Sequence, residues 1–104
     1  MMTIRYVKKG YAHRLSIAGH AGYAENGSDI VCAGVSAIAY ALLGFLENDD
    51  DVVYEDEPIC EEGRLEIDCR GGDRANAAFD MAMIGLLQIA EQYPRCVSVD
   101  PTWG

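Results

Sequence analysis

Cys32 and His20 are the two residues of this chain whose types and spacing could carry covalent chemistry. From Val31 onward, Val35, Ile38, Leu42 and Phe45 recur at three- and four-residue intervals, the apolar stripe of a buried helix, with Ser28 or Asp29 as its natural N-cap. Cys32 then falls in the first turn, where unbonded backbone N–H groups and the helix dipole favour thiolate. His20 lies twelve residues earlier, and the glycine-containing segment between them can fold back and bring imidazole to sulfur. The same residues also fit a small buried cysteine and a surface histidine, because free cysteine is among the most buried residue types. Spacing alone leaves both open.

The other thiols offer less. Cys60, Cys69 and Cys96 form no C-x-x-C pair with each other or with Cys32, so zinc-ribbon and thioredoxin-type spacings are missing and no metal site is expected. Cys69 reads as core, Cys60 as a turn thiol and Cys96 as a strand residue. His13 has the parity of Leu15 and Ile17 and reads as a partly buried strand residue. Gly71-Gly72 has neither the spacing nor the lysine of a phosphate loop, and no cofactor is expected.

The elements that must position Cys32 and His20 follow from periodicity. Tyr11, His13, Leu15 and Ile17 alternate with smaller or polar neighbours as a strand, which pairs with Thr3 to Lys8 through a turn at Lys9-Gly10. Asn48 to Asp51 ends the first helix. Val52 to Glu57 and Arg64 to Arg70 read as strands joined across Pro58 to Gly63, with Leu65, Ile67 and Cys69 on one face. Gly71-Gly72-Asp73 opens a second helix with Phe79, Met83, Leu86 and Ala90 as its stripe and Pro94 as its stop, and Cys96 to Val99 is a last strand. The order ββαββαβ predicts an α+β fold, a mixed sheet with two helices packed on one face.

The 104 residues suit one domain spanning 1–104, and a hydrophobic share of 50% supplies a core. No apolar run is expected to reach the roughly 20 residues that span a bilayer, and the start Met1-Met2-Thr3-Ile4-Arg5 lacks the layout of a secretory signal, so a cytoplasmic protein without a membrane partner is expected. Eight basic against 17 acidic residues give a net charge of -9, which argues against a nucleic-acid partner. Four bases, Arg5, Lys8, Lys9 and Arg14, precede the first acid, Glu25, whereas nine acids crowd the stretch from Glu47 to Glu62. That stretch would draw a basic chain, or merely keep the domain soluble.

Gly19-His20-Ala21, followed by Gly27-Ser28-Asp29-Ile30-Val31-Cys32-Ala33-Gly34-Val35-Ser36-Ala37, resembles the ribosomal-processing cysteine protease family Prp. The likeness is motif-level up to about Phe45 and rests beyond it on length and element order. It implies a small homodimeric bacterial enzyme that removes a short N-terminal extension from a large-subunit ribosomal protein, the one numbered twenty-seven. It also implies Cys32 as nucleophile and His20 as general base, with the family's Asp and Ser falling on Asp29 and Ser36. Asp29 reads first as a cap, and the Ser36 hydroxyl could equally back-bond to a helix carbonyl. Gly19, Gly22 and Gly27 would let the loop close over a peptide. Two other classes of function fit the same residues: a non-catalytic module that holds a basic ribosomal segment, and a thiol redox sensor at Cys32.

Overall fold

A computed structural model of the chain describes residues 1–19 and 26–100, including all side chains except those of residues 26–29. His20 and Gly22 lie outside the described residues, as do the side chain of Asp29 and residues 101–104.

The elements run β1 (Met2–Lys9), β2 (Ala12–Ala18), α1 (Asn26–Glu47), β3 (Val53–Tyr54), β4 (Ile59–Glu61), β5 (Arg64–Arg70), α2 (Asp73–Gln92) and β6 (Val97–Val99). They form an α+β fold with a mixed sheet ordered β3-β5-β2-β1-β6, β4 pairing with β5 as well. All strand pairs are antiparallel except β1 with β6. The hairpin β1–β2 turns through Gly10-Tyr11, with Gly10 at φ +64, the conformation glycine accepts at the first central position of a tight hairpin.

The register explains why one face is buried. Ile4, Ile17 and Leu65 form one cross-strand row and Tyr6, Leu15 and Ile67 the next, all buried beneath the helices. The intervening rows, such as Val7, Arg14 and Asp68, point the other way, and Arg14 pairs there with Asp68 at 3.1 Å. Helix α2 packs through Phe79, Met83 and Leu86, with Ala90 partly buried, as its stripe predicts. The helices run antiparallel and close together: a Cβ on Gly85 would come within 2.9 Å of Ile38 Cδ1, and Arg74 lies 5.3 Å above the Phe45 ring.

Several expectations are corrected. The order is ββαβββαβ, because Ile59–Glu61 is a strand within the expected connection and the strand before it shrinks to Val53–Tyr54. The outer edge of β5 has room for both pieces, and Pro58, which has no N–H to give, separates them. Helix α1 starts at Asn26, so Ser28 and Asp29 sit inside its first turn rather than capping it. In its stripe Leu46 is buried and Phe45 is 37% exposed, since the face over the sheet runs through Val31, Val35, Ala39, Leu42 and Leu46. Cys96 precedes β6 in a turn. The segment Ile30–Glu47 is long and apolar enough to cross a membrane by length and composition, contrary to expectation, and its inner side packs against the sheet.

His13 is more than a partly buried strand residue. It is 1% exposed, and its ring stacks on Phe79 at 4.1 Å between centroids. Asn76 Oδ1, 2.7 Å from Nε2, can only accept, so Nε2 carries the proton and Nδ1 accepts from the Tyr6 hydroxyl at 2.7 Å. Burial holds the imidazole pKa below 6.5, with Lys8 adding to the effect, against the opposing pull of Asn76 and Asp80. Below about 6.5 the unfolded chain takes up a proton that the native ring refuses, so stability is full above that pH and falls as pH drops toward the lowered native value. Thermal midpoints measured between about pH 7.5 and 5.5 should fall in the wild type. His13→Gln should flatten that slope and cost about 1–3 kcal/mol at the upper pH. A slope unaltered by the substitution would place the titrating group elsewhere.

Candidate active site

Cys32 is half-buried on the sheet-facing side of α1 and lines a cavity of about 490 Å³. The floor is apolar, with Met2, Ile17 and Leu65 from three neighbouring strands and Val35 and Ala39 from the helix. One wall is α1, where Ser36 stands one turn beyond Cys32 and the exposed Tyr40 one turn further. The other wall is the tip of the β4–β5 hairpin, from Cys60 to Arg64.

Gly19 lines the same cavity and fixes where the next segment begins. Its N–H donates to the Gly63 carbonyl at 2.9 Å, extending the β2–β5 pairing by one step. Its φ of +94 suits glycine, and a Cβ there would run into the Met1 carbonyl oxygen. The chain therefore enters the His20 segment at the cavity rim, on the side bounded by the hairpin tip.

Cys32 lies in the second turn of α1, because the helix begins at Asn26. Its N–H belongs to the internal ladder rather than to the four unbonded groups of the helix start, so the expected help from those groups does not reach it. Ser36 is placed beside it, while Asp29 and Gly27 fall in the first turn of the helix. Of the other thiols, Cys69 is fully buried, and burial, reinforced by Asp68, pushes its pKa up to about 11, which keeps it a thiol. Cys60 is exposed and, with Glu61 and Glu62, borders the cavity. Sequence reasoning placed these residues in a connection, and no local pattern tied them to Cys32.

A second, larger hollow of about 780 Å³ runs along the outer side of the two helices, between Ile38, Phe45, Met81 and Gly85. It is mostly apolar, with Arg74 the one charged residue of its lining, and no cysteine, serine or histidine lines it.

The fold is known from solved structures. A Staphylococcus aureus protein described as an essential ribosomal processing protease Prp, in complex with a covalently linked product peptide, matches with a TM-score of 0.81 over 100% of both chains at 22% identity. A Streptococcus mutans protein matches with a TM-score of 0.76, covering 100% of this chain and 96% of its own, at 22% identity. In sequence, a Mycoplasma pneumoniae protein named ribosomal processing cysteine protease Prp is 31% identical over 88 residues, covering 85% of this chain and 86% of that one. The sequence profile of the family described as cysteine protease Prp matches residues 1–98. By class the protein is a cysteine protease, a peptide hydrolase. The chain belongs to the Prp family.

Gly19→Ala combines an unfavourable φ with a backbone clash, whereas Gly10→Ala meets open space at φ +64. In urea unfolding, Gly19→Ala should lose about 1–3 kcal/mol, and more than Gly10→Ala. Equal losses would mean that the Met1 backbone yields freely.

Proposed function

We propose that this protein is an endopeptidase that removes the N-terminal extension of a large-subunit bacterial ribosomal protein, the one numbered twenty-seven, through a Cys32/His20 dyad. The observation that carries this reading is that Cys32 and Gly19, the residue before His20, line one cavity. His20 takes the thiol proton, and Cys32 Sγ attacks the scissile carbonyl. The leaving amine receives the proton from His20, and water, deprotonated by the same imidazole, releases the acyl group from sulfur. Ser36 is close enough along the helix to contact the substrate, and Asp29 takes a supporting role.

The names of the relatives support the substrate class, as do the solved S. aureus relatives with a bound substrate peptide and a bound product peptide. Charge supports it too: Glu61 and Glu62 stand at the cavity, at the end of a stretch with nine acids, where a basic ribosomal chain is attracted. This reading puts the protein in the cytoplasm, where ribosomal proteins are made.

We also propose a homodimer formed through the helix layer. Ile30 to Leu46 contains no charged residue, and Met81 is 72% exposed beside Phe45. Side by side, α1 and α2 present roughly 25 by 20 Å of mostly apolar surface, with Arg74 at one end. That is about 500 Å² on each partner, the low end of specific interfaces, which bury about 800 Å² per partner at standard size.

Incubation with the full-length ribosomal protein and mass measurement of its N-terminus should give a single clean loss. Cys32→Ala should abolish it, Cys69→Ala and Cys96→Ala should retain it, and His20→Ala should slow it at least ~100-fold. Cutting by Cys32→Ala would overturn the assignment. In sedimentation at micromolar concentration the protein should be dimeric, and Met81→Glu should shift it toward monomer. A monomeric wild type with full activity would contradict the dimer.

A further inference from the structure

The residues that α1 gives to the Cys32 cavity are not scattered along the helix. Cys32, Ser36 and Tyr40 follow one another at four-residue intervals, and residues so spaced stand in one row on one side of a helix. Val35 and Ala39 make the row beside it, and both are buried, so theirs is the row turned down onto the sheet. The Cys32 row is therefore the upper part of the helix wall, half-buried at Cys32 and 60% exposed at Tyr40. Among the described residues of the lining, Tyr40 is the one aromatic. It stands on a wall without charge, since Ile30 to Leu46 contains none, whereas Glu61, Glu62 and Arg64 belong to the hairpin wall opposite.

Tyr40 lies eight residues beyond Cys32, which is about 12 Å along the axis at a rise of about 1.5 Å per residue. Both side chains lean toward the start of the helix, so the offset between them keeps that scale. An extended peptide advances about 3.3 Å per residue and at most about 3.6 Å, so a chain with its scissile carbonyl at Cys32 meets Tyr40 at roughly its third or fourth residue from the cut. We infer that Tyr40 is a specificity-determining residue, its ring packing against an apolar side chain of the substrate three or four residues from the scissile bond. The occupant is the substrate peptide, because the row that ends at Tyr40 begins at the thiol and lines the same cavity. The exposed ring and the incoming side chain lose apolar surface to water together, which favours a large apolar residue over a small or charged one. This inference rests on the endopeptidase reading and adds to it a selectivity read at a fixed distance from the cut, not beside it.

The test is a double-mutant cycle between Tyr40 and the peptide segment that the wild-type protein cuts. Each peptide residue within five positions of the scissile bond is made leucine and then alanine, and kcat/KM is measured with wild type, Tyr40→Ala and Tyr40→Phe. With wild type, alanine in place of leucine at one position, the third or fourth from the bond on one side, should lower kcat/KM roughly 3- to 10-fold. With Tyr40→Ala the same exchange should cost less than about 2-fold, while every other position costs both proteins alike. Tyr40→Phe should follow the wild type, because the ring makes the contact. A substitution that merely loosened the helix would slow all peptides equally and couple to none. Coupling at no position, or only at the first or second residue from the bond, would overturn the assignment and leave the endopeptidase reading standing. Should Tyr40→Ala fail to fold, Tyr40→Gln, also suited to an exposed helix position, takes its place with the same outcomes. Absence of any cleavage by the wild type would overturn the endopeptidase reading, and the role of Tyr40 with it.

Discussion

A single neutral imidazole ties three elements of this protein together. The ring of His13 on β2 accepts from Tyr6 on β1, donates to Asn76 on α2 and lies flat on Phe79 of the same helix. A buried ring with both nitrogens occupied has almost no rotational freedom, so it sets how α2 lies across the sheet. Helix α1 takes its position from α2 through the close approach at Gly85 and Ile38, and Cys32 takes its position from α1. Cys32 is therefore located through packing that begins at the far end of the sheet. The neighbouring Tyr6 hydroxyl is pushed well above its ordinary pKa by burial, with Asp80 and Cys69 adding to the effect, so it remains a donor across the working pH range.

The two sides of α1 have different work. Its inner side closes the core and offers Cys32 and Ser36 to the cavity, while its outer side from Ile30 to Leu46 carries no charge and shares a mostly apolar hollow with α2. A helix apolar all round is ordinarily buried on all sides. The outer surface is thus a second constraint on the sequence, independent of the packing on the inner one.

How much of this was legible depended on whether the signal was local. The alternation from Tyr11 to Ile17 and from Arg64 to Arg70 was readable because a strand with one buried face repeats every two residues, and the second helix was bracketed by Gly72 and Pro94. The three residues Ile59, Cys60 and Glu61 are too few for a period, and they form a strand because β5 offers them an edge. Phe45 and Leu46 could each continue the stripe, and only the position of the sheet decides which turns inward. The parity of His13 was visible, but its partner Asn76 is 63 residues away. For the site, the placement of Cys32 on the inner side of a helix followed from its neighbours, whereas Cys60 reaches the same cavity through a tertiary contact that no spacing announces.

The pairing of β1 with β6 joins Met2 to Val97, so the open sheet is completed only when two distant stretches of chain meet. The entropy lost in such a closure grows with the intervening length, and the three-residue strand β6 gains few bonds against it. Met2 and Ile4 keep their outward hydrogen-bonding groups covered only while β6 is seated, through the bonds from Met2 N–H to the Cys96 carbonyl and from Asp100 N–H to the Ile4 carbonyl. The last strand is thus the cover of the first: the backbone of Met2 and Ile4 is shielded from water by three residues from the other end of the described chain, and any substitution that weakens the seat of Val97 bares the edge of β1 before it touches the rest of the core.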